Sequence, residues 1–167
     1  LMPEVQAVVF NFTEAPPPGL NAGAPYRIIY VTSARRDPAG IGIAVYNAFA
    51  QNDASASPAL AQLTGTWKAL ASSQEVDARD NTATPPDAAL QVPIYTTNGV
   101  RIADNYSDLW DGSIAAPIAD RGGDAVGPDR RVWTGTNASG TEAFIDGDSH
   151  ALFNHPPMTG SPADTDA

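Results

Sequence analysis

Proline and glycine punctuate this chain so densely that few helices or strands can run long. Fifteen prolines and fourteen glycines fall among 167 residues, several in clusters such as Pro16-Pro17-Pro18-Gly19 and Pro85-Pro86. Proline fixes φ and removes a backbone donor, while glycine weakens helix and strand interiors alike. A fold rich in turns and irregular loops is therefore expected. Hydrophobic residues still make up 43% of the chain, enough for a core, and the length suits one domain.

Between the breaks, a few segments carry readable periodicity. Residues 26–33, Tyr-Arg-Ile-Ile-Tyr-Val-Thr-Ser, form a continuous apolar run that predicts a buried strand. Residues 5–12 predict another, joined through the Pro/Gly-rich stretch 15–25, so residues 1–25 read as an N-terminal strand and stiff arm and 26–167 as the domain. The simple role for that strand is a sheet edge. A sharper one is pairing with a neighbouring copy, which would make the chain a homo-oligomer. Over 41–51 the period changes: Ile41, Val45 and Phe49 recur every four residues beside Ala44 and Ala48, predicting a helix with Asp37 as N-cap and Pro38 in its first turn. Residues 52–58 read as a loop and 59–63 as one more helical turn. A short strand is predicted at 67–72 with Trp67 and Leu70 inward, then a long exposed loop at 74–90. Residues 92–95 and 100–103 predict a hairpin about Asn98-Gly99, a pair suited to the positive φ of a tight turn. Residues 131–136 predict a further strand, the chain turns polar and Pro-rich from Asp146, and 161–167 should fray. The expected core is Ile29, Val31, Val45, Phe49, Trp67, Leu70 and Trp133.

Charge and residue inventory exclude several classes of function. Nine basic residues face nineteen acidic ones, for a net charge of −10 and a pI near 4.3. A phosphate backbone needs a basic stripe to displace its counterions, so nucleic acid is excluded as a partner, as is an anionic membrane surface. No apolar run approaches the roughly 20 residues of a spanning helix, so membrane insertion is not expected. With no cysteine there are no disulfides, thiolate metal sites or thiol nucleophiles. Three Asn-x-Ser/Thr triplets, at Asn11, Asn105 and Asn137, match the glycosylation acceptor pattern, which an Asn- and Thr-rich chain also produces by chance.

Candidate chemistry gathers in two stretches. Asp104, Asp108 and Asp111, with Asn105 between them, form the densest carboxylate cluster and could offer oxygen ligands to calcium, though without the spacing of an EF-hand loop. Calcium is the one cofactor the sequence leaves open. His150 and His155 are the only histidines and lie near Asp146 and Asp148; loop histidines alone make a weak metal site. No nucleophile elbow, phosphate-cradling loop or zincin helix is present. The chain reads as non-enzymatic, and a metal-dependent hydrolase of extracellular polysaccharide using Asp104, Asp108 and the histidines stands as the alternative. All three tryptophans read first as core, while Trp110 and Tyr106 are the aromatics best placed to stack on a sugar.

The order of motifs carries a resemblance. An Ile28-Ile29-Tyr30-Val31 strand precedes a helix with Tyr46-Asn47-Ala48-Phe49, then Leu63-Thr64-Gly65-Thr66-Trp67-Lys68-Ala69-Leu70, Pro93-Ile94-Tyr95, Ile102-Ala103-Asp104-Asn105, Asp108-Leu109-Trp110-Asp111-Gly112 and Val132-Trp133-Thr134-Gly135-Thr136. Over about residues 26–145 this resembles a bacterial family of exported domains of unknown function, itself similar to endostatin and the C-type lectin fold. The resemblance implies an α+β domain: a twisted antiparallel sheet with one main helix and long irregular loops, displayed at a cell surface or in a matrix. Domains of that kind usually carry paired cysteines; here packing alone must hold the loops. A partner would be a glycan, a protein or further copies of the chain, in a coat or filament. The loop face at 104–111 and 137–150, with Asn105, Tyr106, Trp110 and Asn137, is the expected contact surface.

Overall fold

The computed structural model describes residues 17–34, 36, 42–63, 65–118, 120–121, 124–125, 132–145, 148–152 and 159–160. The strand predicted at 5–12, the Asp37-Pro38 helix start, His155 and the tail from 161 lie outside them. In chain order the elements are β1 (Arg27–Ile29), α1 (Ile43–Ala56), α2 (Ala78–Asn81), β2 (Ile94–Thr96), β3 (Arg101–Ala103) and α3 (Tyr106–Leu109). Two-residue strands follow: β4 (Asp120–Arg121), β5 (Asp124–Ala125), β6 (Val132–Trp133), β7 (Phe144–Ile145), β8 (Asp148–Ser149) and β9 (Thr159–Gly160). The protein is a small α+β fold in which loops exceed regular structure among the described residues.

Its main sheet has three strands in the order β1-β2-β3 and is mixed, not antiparallel throughout. β1 runs parallel to β2, with Arg27 opposite Ile94 and Ile29 opposite Thr96. Both α1 and α2 lie between those strands in sequence, and a long crossover of that kind permits parallel pairing. β2 and β3 form the predicted hairpin. Its turn differs from the two-residue type: Gly99 has φ 82°, but Ala83 is the only non-glycine with positive φ among the described residues, so Asn98 keeps an ordinary backbone. The Gly99 amide donates to Thr96 O at 3.0 Å and the Thr96 amide to Val100 O at 2.8 Å, giving a longer turn with glycine alone in the left-handed region.

Helix α1 buries Tyr46, Ala50, Asp53 and Ala54. The buried stripe is thus rotated one position from the predicted Val45 and Phe49, which are half-buried. Alanine decides this: with Ala50 and Ala54 on the inner face, the Tyr30 ring comes close enough for its hydroxyl to donate to Ala50 O at 2.9 Å. Phe49 instead shares the Arg36 guanidinium with Tyr46, at 5.9 and 5.6 Å from the ring centres. The Asp53 carboxylate accepts from the Ser33 amide at 3.0 Å, the Ser33 hydroxyl at 2.7 Å and the Ala34 amide at 2.9 Å, fastening the helix to the end of the β1 segment.

Residues 67–71 are extended but are not a strand of the sheet. The Trp67 amide donates to Gln51 Oε1 and the Ala69 amide to Asn47 Oδ1, both at 2.9 Å. Alternate residues of an extended chain are about 6.6 Å apart and residues four apart on a helix about 6 Å. Two amide side chains on one face of α1 therefore stand in for a strand edge. Trp67 is buried against Tyr30, ring centres 5.3 Å apart and edge to face. Ile29 is buried and Leu70 half-buried against the same core cluster. Val31 is half-buried, and the Trp133 side chain lies outside the description.

The stretch 74–90, expected as an exposed loop, contains α2 and buries Ala78, Asn81, Thr82 and Thr84. Its polar residues go inside because each has a partner there. Asn81 Nδ2 donates to Ala69 O at 2.7 Å and to Asn47 Oδ1 at 2.9 Å, and Asn81 Oδ1 accepts from Asn47 Nδ2 at 2.8 Å. Residues 151–152 are likewise integral: both are buried, and the Leu152 amide donates to Ser72 O at 2.9 Å.

Candidate functional site

The expected contact face rests on a strained helix end. α2 closes with Ala83 at φ 51°, while the Thr84 amide reaches back to Arg79 O at 2.8 Å and the Ala83 amide to Asp80 O at 3.1 Å. This is the left-handed helix cap that glycine usually fills. It turns three successive carbonyls toward side-chain donors. Thr82 O accepts from Arg27 Nη1 at 2.8 Å, Ala83 O from Arg27 Nη2 at 3.0 Å and Thr84 O from Trp110 Nε1 at 2.9 Å.

Arg27 is 8% exposed. A buried guanidinium needs its charge met, and helix-end carbonyls carry partial negative charge aimed outward. Its Nε donates to the Tyr106 hydroxyl at 2.6 Å, and the guanidinium carbon lies 5.0 Å from the centre of that ring. No buried side-chain polar atom among the described residues lacks a hydrogen-bond partner. Arg27 escaped the sequence reading as a site residue, yet a lone arginine inside an apolar strand run signals partners elsewhere in the chain.

Two loops meet over this base. In the first, Asn105 caps α3, its Oδ1 accepting from the Asp108 amide at 2.9 Å, and Asp108 Oδ2 accepts from the Asp104 amide at 2.6 Å. The Tyr106 amide donates to Gln91 Oε1 at 2.9 Å and the Ser107 hydroxyl to Pro86 O at 2.8 Å. In the second, Asn137 Oδ1 accepts from the Ser139 amide at 3.0 Å, the Ser139 hydroxyl at 2.7 Å and the Thr141 amide at 3.2 Å. Asp77 Oδ1 accepts from the Glu142 amide at 2.7 Å, and the Arg79 amide donates to Gly140 O at 3.1 Å. Gly140 lies so close to the Trp110 indole that a Cβ there would fall 2.7 Å from its ring carbon, so only glycine lets the second loop seat on the first.

The structure brings 104–113 and 137–142 together through Gly140 and Trp110, within the expected stretches 104–111 and 137–150 only in part. It distributes the singled-out residues differently. Tyr106 is buried at 3% exposure and serves the base of the site, so it offers no stacking face. Trp110 is half-buried, one side taken by Gly140, and Asn137 spends its side chain on its own turn. The aspartates diverge in use: Asp104 pairs with Arg101 at 3.0 Å, Asp108 braces the start of α3, and Asp111 Oδ1 accepts from the Ser113 amide at 3.0 Å. Among the described residues no three His, Cys, Asp or Glu side chains converge to hold a metal ion. The His150 amide donates to Ala143 O at 2.7 Å, and neighbouring Ser149 donates its hydroxyl to Glu142 Oε1. Exposed on this face are Asp104, Ser107, Asp111, Ser113 and Ser139, a hydroxyl- and carboxylate-bearing rim. Comparison with protein-family models, curated proteins and solved structures finds no match to this chain.

Proposed function

We propose that the protein is a non-enzymatic extracellular or cell-surface module of C-type-lectin-like organisation that binds a glycan or protein through the face formed by residues 104–113 and 137–142. One observation supports this reading above the rest: irregular loops of this length are held at almost every turn by side-chain-to-backbone hydrogen bonds and by the Gly140–Trp110 contact. Ordered loops on a scaffold are the usual carriers of recognition, and loops already ordered lose little entropy on binding. The rim hydroxyls and carboxylates suit a polyhydroxyl ligand. With a chain charge of −10, neutral or basic ligands fit better than acidic ones.

Binding to arrayed neutral, acidic and amino-sugar glycans tests this. The reading expects capture of a neutral or basic glycan, lost in Asp111→Ala/Ser113→Ala/Ser139→Ala with the fold retained by circular dichroism; capture that survives that triple change contradicts it. Release of reducing ends from polysaccharide, abolished by Asp104→Asn/Asp108→Asn, would replace it with the hydrolase reading. Calcium enters if it raises the melting temperature of the native chain but not of Asp108→Asn/Asp111→Asn. Assembly into a coat or filament through residues 5–12 predicts a large native size that removal of residues 1–18 abolishes.

A further inference from the structure

Asn98-Gly99 is chemically distinctive and lies outside the binding face. Where glycine follows asparagine, nothing shields the glycine amide nitrogen from the side-chain amide carbon. Attack of Gly99 N on Asn98 Cγ forms a five-membered succinimide and expels ammonia, the amide proton leaving to solvent base. Water then opens the ring at either carbonyl, giving aspartate or isoaspartate. The change adds one negative charge, and in the second product one extra backbone atom. Water is the only co-reactant.

Both reacting groups are held by one residue. The Gly99 N–H donates to Thr96 O at 3.0 Å, and the Thr96 hydroxyl donates to Asn98 Oδ1. That hydroxyl also accepts from the Val100 amide at 3.1 Å, and Thr96 is itself buried at 3% exposure. Asn98 is exposed at the tip, while its anchor is not. Attack requires Gly99 N to shed the proton that it donates to Thr96 O, so that bond must break first.

We propose that Asn98 is a guarded deamidation site: Thr96 engages both nucleophile and electrophile in hydrogen bonds of the closed turn, and conversion to aspartate or isoaspartate proceeds only through opening of the β2–β3 turn. The site then records opening of this hairpin as a lasting covalent change, with charge added beside β2 and β3.

Incubation of the full chain at mildly alkaline pH, with and without urea, followed by peptide mass mapping, tests this. The native chain should convert at Asn98 at least about tenfold more slowly than the unfolded chain, the factor set by the rarity of local opening. Thr96→Val, checked for folding by circular dichroism, should convert severalfold faster than the native chain, whereas Thr96→Ser keeps the hydroxyl and should stay slow. If Thr96→Val does not fold, the native-to-unfolded ratio alone decides. Equal rates in native and unfolded chains, or a folded Thr96→Val as slow as the native chain, would overturn the proposal.

Discussion

Arg27 and Ala83 together show how one strained backbone position can serve a buried charge. A non-glycine residue in the left-handed region costs on the order of 1 kcal/mol. At Ala83 this conformation aims a carbonyl at the Arg27 guanidinium. Glycine removes the steric cost without moving the carbonyl, so Ala83→Gly should raise stability by about 0.5–1 kcal/mol in urea unfolding. Arg27→Met keeps bulk but strips three hydrogen bonds and leaves the Thr82 carbonyl buried without its donor. It should destabilise by about 2–4 kcal/mol. Tyr30 gives the pH signature. Burial first, and the Asp53 carboxylate second, push its hydroxyl well above the ordinary value of 10.0. Above that pH the unfolded chain loses this proton while the folded chain keeps it. The contribution is therefore complete below pH 10 and is lost as pH rises past it. Melting between pH 8 and 11 should show that decline, and Tyr30→Phe should reduce it, leaving the smaller part due to the burial of Tyr26.

At the level of elements, hydrogen bonds from side chains replace much of the regular ladder. α1 and the extended segment 67–71 are joined through Asn47 and Gln51, and Asn47 is tied in turn to Asn81 of α2. Asn47→Ala unbinds the Ala69 amide and half of the Asn81 amide at once, so urea unfolding should show a loss of about 2–3 kcal/mol, well above that of an exposed asparagine. The same device explains what the sequence revealed and what it hid. The Tyr26–Val31 run, the existence of α1 and the place of the β2–β3 turn were legible because hydrophobic period and turn chemistry are local signals, whereas the buried stripe of α1 and the turn type were not. The parallel pairing of β1 with β2 was not, since it depends on a crossover of more than sixty residues. Nor was the burial of 78–84: Arg79-Asp80-Asn81-Thr82 reads as solvent-facing until Asn47, Ala69 and Arg27 are known to meet it. Of the stretches grouped as an expected contact face, 104–111 and 137–150, the structure shows Gly140 seated on Trp110. The inward turn of Tyr106 was not legible, because its hydroxyl partner lies 79 residues away in sequence.

Across the whole molecule, a cysteine-free chain with short strands keeps its loops in place by fastening each to the next. β1 holds α2 through Arg27, α2 holds the 137–142 turn through Asp77 and Arg79, and that turn holds Trp110 through Gly140. The proposed recognition face is the outer surface of this chain of contacts, and its function requires those loops to be ordered before any ligand arrives. Native-state hydrogen exchange at the amides of Asp108, Thr141 and Glu142 measures that order directly. Bonded to Asn105, Asn137 and Asp77, these amides should exchange at least about a hundredfold more slowly than in the unfolded chain. Exchange at the unfolded rate would mean that the loops are not held, and the account of the face would be wrong.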